Sequence, residues 1–330
     1  MYAVREQLAV MFGADAENVV FTKNCTEALN CAIKGSVKSG EHIVISSLEH
    51  NSVARVVEKL SDSLIADYSV APFCFNPEET LASFEKAIKR NTTLVVCTLA
   101  SNVFGVILPV REIGALCKKR GIRFIVDAAQ GAGIYPLNLN DDNIDILCAP
   151  GHKCLMGPMG TGFFIMKKGV RLEPLTEGGT GNRSLSYKMP VEPPERFEAG
   201  TLNNPGIIGL GAGIKYINSL GAPSVLNRET ELIEIVYRSL AETEKAVLYT
   251  PVPKSFEMLP VLSFNIKGMS SESVAAYLAE NGVCVRAGYH CAPLAHRHFN
   301  TLDGGTVRVS MGCFNTKSEC YRFIKLVKKL

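Results

Sequence analysis

The stretch Phe124-Ile125-Val126-Asp127-Ala128-Ala129-Gln130 decides the fold. A short, fully apolar run that stops at a carboxylate reads as a strand of a buried parallel sheet with a polar group at its carboxyl end. Working outward, similar runs occur at Val19–Thr22, Ile43–Ser46, Leu94–Thr98 and Ile144–Cys148. From residue 19 to about 166 they alternate with amphipathic patterns, as parallel strands joined by crossover helices do. Between the second and third runs, Val53, Val56, Val57 and Leu60 fall at i, i+3, i+4 and i+7, one apolar face of a helix lying on that sheet. The expectation is an α/β core.

Beyond it, Thr176 to Pro205 is rich in Gly and Pro and too long for an ordinary connection, so it is either functional or an excursion toward another subunit. Leu226 to Glu244 has a helical pattern. Strands are expected near Val247–Tyr249, Val261–Ile266 and Val307–Ser310, with a helix over Ser271–Glu280. The last helix carries Cys320, Phe323, Ile324 and Val327 at core spacing, with lysines on a solvated face. We expect a large domain over residues 1–220 and a smaller α+β domain over 221–330.

The 330 residues, 47% hydrophobic, suffice for a substantial core. Net charge is +3 with the basic residues scattered, so no footprint for nucleic acid emerges and a small molecule is the expected partner. Eleven cysteines without a C-x-x-C pair argue for reduced thiols and a cytoplasmic setting rather than a disulfide framework. No leader pattern opens the chain and no apolar run approaches membrane-spanning length, so a soluble protein is expected.

Ligands of open parallel sheets sit beyond the carboxyl ends of the strands, which directs attention to the polar residues that follow each run. Thr22-Lys23-Asn24-Cys25-Thr26-Glu27-Ala28 opens a helix whose N-terminus suits a phosphate, or Thr26 simply caps it. Glu49-His50-Asn51 and Ser101-Asn102-Val103-Phe104-Gly105 follow the next two strands. Asp127 either caps a helix or holds a protonated pyridine nitrogen, making the ring a better electron sink. Ala149-Pro150-Gly151-His152-Lys153 brings a lysine to the same edge, where it becomes a nucleophile if its neighbours strip its proton.

Thr26-Glu27, Glu49-His50, Ser101-Asn102-x-x-Gly105, Asp127-x-x-Gln130 and Gly151-His152-Lys153 stand in a characteristic order and spacing. With Arg196-Phe197-Glu198-Ala199-Gly200-Thr201 and Arg286-Ala287-Gly288-Tyr289-His290-Cys291-Ala292-Pro293, the set resembles the class V aminotransferase-like enzymes of pyridoxal 5'-phosphate, in their cysteine desulfurase and selenocysteine lyase branch. The resemblance implies the type I fold of such transferases, with a mainly parallel seven-stranded-type sheet. It implies that Lys153 holds the cofactor as a Schiff base, His50 stacks on its ring, Asp127 pairs with the ring nitrogen and Gln130 bonds the phenolic oxygen. Thr26 and His152, with a backbone contact at Cys25, take the phosphate. Asn102 and Arg308 match positions that hold the substrate carboxylate, Arg286 stands beside them, and Thr201 matches one that reaches the cofactor of a partner subunit, hence a homodimer.

Cys291 matches the catalytic thiol, with His290 and Arg286 near enough in sequence to tune it. The implied reaction converts L-cysteine to L-alanine and leaves a persulfide on Cys291 for a sulfur-acceptor protein. Selenocysteine or cysteine sulfinate lyase and simple aminotransferase are the alternatives, the last needing no thiol. An inactive protein of the same fold is another, as is a metal-binding protein using His290, Cys291, His296 and His298. Pro150 departs from the usual Ser or Thr donor to the phosphate, so one cofactor contact is expected to be lost. The family pattern also includes an N-terminal segment upstream of the residues matched here.

Overall fold

The computed structural model describes residues 1–330, which divide into two compact units. The first comprises Met1–Leu99 with Leu108–Leu220, the second Ala100–Ile107 with Gly221–Leu330. The short segment from Ala100 thus belongs with the C-terminal part of the chain.

The first unit is built on seven strands, β1 (Val19–Thr22), β2 (Glu41–Ser46), β3 (Ala66–Ala71), β4 (Thr92–Thr98), β5 (Arg123–Asp127), β6 (Ile146–Pro150) and β7 (Gly162–Met166), in the order β1-β7-β6-β5-β4-β2-β3. β2 pairs in parallel with β3 and β4, β4 with β5, and β5 with β6. β7 is antiparallel to both its neighbours, so it alone runs against the rest. The carboxyl ends of β1, β2, β4, β5 and β6 therefore share one edge of the sheet, where open α/β sheets place ligands. Helices α1 (Tyr2–Phe12), α2 (Cys25–Ser36), α3 (Asn51–Asp62), α4 (Pro77–Ala87), α5 (Val110–Arg120) and α6 (Asn204–Leu220) complete the unit. In α3 the stripe read from the sequence is buried, Val53, Val56, Val57 and Leu60 together.

Residues 167–203 contain no helix or strand, and α6 starts at Asn204, just inside the loop expected from composition. The loop is nonetheless anchored. Glu198 accepts from Arg5 Nη2 at 2.6 Å and from the Phe21 N–H at 2.7 Å, a buried ion pair that ties it to α1 and β1.

The second unit has an antiparallel sheet ordered β10-β9-β8, from β8 (Ala246–Leu248), β9 (Val261–Ile266) and β10 (Val307–Ser310). The unit also contains α7 (Ala222–Ala241), α8 (Ser271–Glu280), α9 (Pro293–His298) and α10 (Lys317–Val327), of which α7, α8 and α10 share a core with the sheet. Leu232, Val236, Phe264, Val274, Leu278 and Phe323 are among its buried core residues. Gly105 lets Ala100–Ile107 lie on this sheet: its φ is 71° and a Cβ there would stand 2.4 Å from the Val261 carbonyl oxygen. The Ser263 hydroxyl donates to Val103 O at 2.6 Å and the Leu259 N–H to Gly105 O at 2.8 Å. No helix is long and apolar enough to cross a membrane.

Candidate active site

At the sheet edge of the first unit, β1 runs directly into α2. The helix is capped by Asn24, whose side chain accepts from the Glu27 N–H at 2.9 Å. Thr26 is therefore not the cap. It lies exposed in the first turn, and neither its hydroxyl nor its N–H has a partner in the chain, which leaves both for an anion at the positive end of the helix. Gly162 of β7 permits this crowding, since a Cβ there would meet Asn24 backbone at 2.5 Å.

Asp127 ends β5, buried, and accepts from the Ala129 N–H at 2.8 Å and, through the same oxygen, from the Cys25 thiol at 3.5 Å. No helix follows it, so its carboxylate is no helix cap. Burial first, then the Asp127 charge, push the Cys25 thiol up, while the Lys153 ammonium pulls the other way. Both charges therefore act on one buried sulfur. Lys153 itself is exposed, in the turn after β6. Beside it, partial burial and the Lys153 charge hold the His152 imidazole below its ordinary value, neutral at pH 7. Gln130 is half-buried and makes no hydrogen bond within the chain.

His50 caps α3, its Nδ1 accepting from the Ser52 N–H at 3.0 Å, and that bond fixes the ring at the sheet edge. Glu49 before it is wholly buried. Its Oε1 accepts from the Ser46 hydroxyl and from the Thr98 N–H, the latter at 2.8 Å, while Oε2 has no partner. Burial pushes its carboxyl up to about 8, although those hydrogen bonds oppose the shift; the Asp127 charge adds to it. The sequence marks Glu49 only as part of a motif and carries no sign of its burial. Pro150, paired with Gly162, offers no N–H at the turn that carries Lys153.

In the second unit, Arg286 and Arg308 lie opposite each other, the Arg286 N–H donating to Arg308 O at 3.1 Å and the reverse bond at 2.7 Å. Neither guanidinium has a carboxylate partner, and Arg308 Nε is buried without an acceptor. Burial, then the Arg286 charge, lower the Arg308 pKa from its ordinary value. Two unneutralised guanidiniums are a receptor for an anion such as a carboxylate. Arg308 Nη1 also donates to Asn102 O at 2.8 Å, and Asn102 Nδ2 donates to His290 O at 2.8 Å. Asn102, Arg286, Arg308, His290 and Cys291 thus belong to one connected patch, with the Cys291 thiol exposed. His290 is buried, with Nε2 on Thr306 O at 3.1 Å and Nδ1 unpartnered. Burial and then the Arg308 charge depress it to about 4, so it supplies no positive charge to its neighbour's thiol at neutral pH. His296 Nδ1 bonds the Thr301 hydroxyl at 2.7 Å, and these imidazoles do not converge with Cys291 and His298 into a metal-binding group.

A mostly parallel sheet thus carries a lysine, a buried carboxylate and an open helix N-terminus along one edge, the arrangement of an α/β enzyme with a donor set suited to an anionic ligand. Residues 1–323 match the family model "Aminotransferase class-V", and the chain belongs to that family. It is 34% identical over 322 residues to a protein of Methanothermobacter thermautotrophicus named "Probable cysteine desulfurase", covering 96% of this chain and 80% of that one. A protein of Pyrococcus abyssi with the same name is 34% identical over 336 residues, covering 99% and 82%. Among solved structures, the apo cysteine desulfurase of Thermococcus onnurineus NA1 superposes with a TM-score of 0.92 at 35% identity, over 99% of this chain and 83% of that one.

Proposed function

We propose that the protein is a pyridoxal 5'-phosphate-dependent cysteine desulfurase. The observation that carries the cofactor assignment is that the buried Asp127, which ends β5, and Lys153, in the turn after the neighbouring parallel strand β6, share the carboxyl edge of the sheet. The donor set fits the cofactor: an amine for its aldehyde, a buried carboxylate for its ring nitrogen, an uncommitted amide for its phenolic oxygen, and a helix N-terminus for its phosphate. When bound, the cofactor supplies an aldehyde that captures a primary amine and an electron sink for bonds to the α-carbon.

Lys153 would hold that aldehyde through its Nζ and would serve as the group that moves the substrate's α-proton. Asp127 would pair with the ring nitrogen. Gln130 would donate to the phenolic oxygen, His50 would cover the ring, and Thr26 and His152 with the start of α2 would hold the phosphate, Cys25 contributing its backbone. Asn102, Arg286 and Arg308 orient the substrate carboxylate. The Cys291 thiolate attacks the substrate sulfur: the carbon–sulfur bond breaks, a sulfur–sulfur bond forms, and a proton completes the methyl group of alanine. L-Cysteine plus the enzyme thiol thus become L-alanine plus an enzyme persulfide, which a sulfur-acceptor protein would unload. Thr201 supports a homodimer by its match to a position that reaches a partner's cofactor, and the reduced cysteines suit the cytoplasm.

The purified protein, supplied with cofactor, should gain visible absorbance, change it on adding L-cysteine, and, with dithiothreitol present to reduce the persulfide, release alanine in step with sulfide. Borohydride should fix the cofactor on Lys153. The Cys291→Ala variant should keep the absorbance change and the borohydride adduct but release no sulfide; undiminished sulfide release would remove the thiol mechanism. A colourless protein with an unmodified Lys153 would remove the cofactor.

A further inference from the structure

Residues 289–292 form a tight turn closed by the Ala292 N–H donating to Tyr289 O at 2.9 Å. Its two central residues, His290 and Cys291, are both left-handed, with φ of 49° and 58°. Turns of that hand suit Asn-Gly or similar pairs, because a side chain on each central residue crowds the backbone. His-Cys has no such preference. The surroundings must therefore impose the conformation.

The peptide that joins His290 to Cys291 is the one whose rotation would release it. Its carbonyl oxygen is the atom that receives Asn102 Nδ2 at 2.8 Å. Asn102 is itself fixed, since its own carbonyl takes Arg308 Nη1 at 2.8 Å and the next two N–H groups are held by the Ser101 hydroxyl at 3.2 Å. The stem below the turn is closed by Gly288 and Thr306, which exchange two backbone bonds of 3.1 Å, and the His290 ring is held on Thr306 O. The stem and the ring fix where the turn stands, and the Asn102 amide fixes which way its central peptide faces.

We propose that Asn102 is a positioning residue for the Cys291 thiol, locking through the His290 carbonyl the left-handed turn that presents it. The catalytic consequence rests on the desulfurase reading above; the conformational claim does not. One N–H of the amide serves the carbonyl and the other stays available, so the clamp is separate from any contact with a substrate carboxylate.

The test is hydrogen exchange at the Ala292 amide in the full chain as purified, without substrate. The two variants are Asn102→Ala and Asn102→Asp, the latter of the same shape but unable to donate to a carbonyl. Loss of one hydrogen bond should speed Ala292 exchange about fivefold while the β9–β10 ladder amides keep their protection. With L-cysteine, both variants should lose kcat, whereas a residue that only binds the carboxylate would raise KM and leave substrate-free exchange untouched. Unchanged Ala292 exchange in both variants overturns the proposal, as does acceleration of the whole β9–β10 ladder, which would make the amide a general support of the unit. Wild-type protein that releases no sulfide would remove the desulfurase reading and leave the exchange result to decide the clamp alone.

Discussion

Among single residues, Glu49 has the most to say about pH. Its carboxyl titrates near 8 in the folded chain against an ordinary 4.5, so between those values the folded state binds a proton that the unfolded state has lost. Stability from this group is then fullest at low pH and declines as pH rises from about 4.5 to about 8, by at most ~1.4 kcal/mol per unit. Glu49→Gln, neutral throughout, should flatten that decline: urea midpoints measured from pH 5 to pH 8.5 should fall more steeply in the wild type, and parallel curves would refute it. The edge positions of Asp127 and Lys153 are legible in the sequence because Asp127 ends one apolar run and Lys153 comes a few residues after the next, where a parallel sheet exposes polar ends. The burial of Glu49 was not legible, because a carboxylate after a strand looks the same whether it faces water or the core. Nor was the bond from Asn102 to His290, 188 residues away, since no periodicity encodes such a contact.

At the scale of elements, apolar spacing placed α3, α8 and α10, and β9 and β10 run over the residues expected. β3 escaped notice because Ala66–Ala71 is an edge strand with a mixed, partly exposed sequence. β7 escaped because its apolar run, Phe163–Met166, follows a glycine-rich turn, and nothing local says that it inserts between β1 and β6. The start of α10 was also missed, although its signal is in the sequence: Thr316 and Glu319 form a capping box, with the Thr316 hydroxyl accepting from the Glu319 N–H at 3.3 Å and Glu319 accepting from the Thr316 N–H at 2.7 Å. Because α10 buries Cys320, Phe323, Leu326 and Val327, fraying its first turn loosens the core of the second unit. Thr316→Ala should cost about 1 kcal/mol, read as a lower urea midpoint at unchanged slope. No change in midpoint would mean that packing alone sets the helix start.

Across the whole molecule, the residues assigned to the cofactor lie in the first unit and those assigned to the thiol and substrate carboxylate in the second. One stretch belongs to neither role within a single chain: the loop before α6, which is secured at Glu198 and by Arg196 on Glu173 at 2.9 Å yet leaves Leu185 99% and Val191 65% exposed, with Tyr187 fully so. Anchored loops that hold apolar side chains in water lose the benefit of burying them, a loss that a second copy would reverse. The proposed homodimer, inferred from Thr201 in the same loop, offers that cover. Sedimentation should therefore give a mass twice the 35.8 kDa of the chain, and Leu185→Glu combined with Tyr187→Glu should shift it toward the single-chain value. A wild-type protein that sediments as one chain at micromolar concentration would remove the dimer, and with it the role assigned to Thr201.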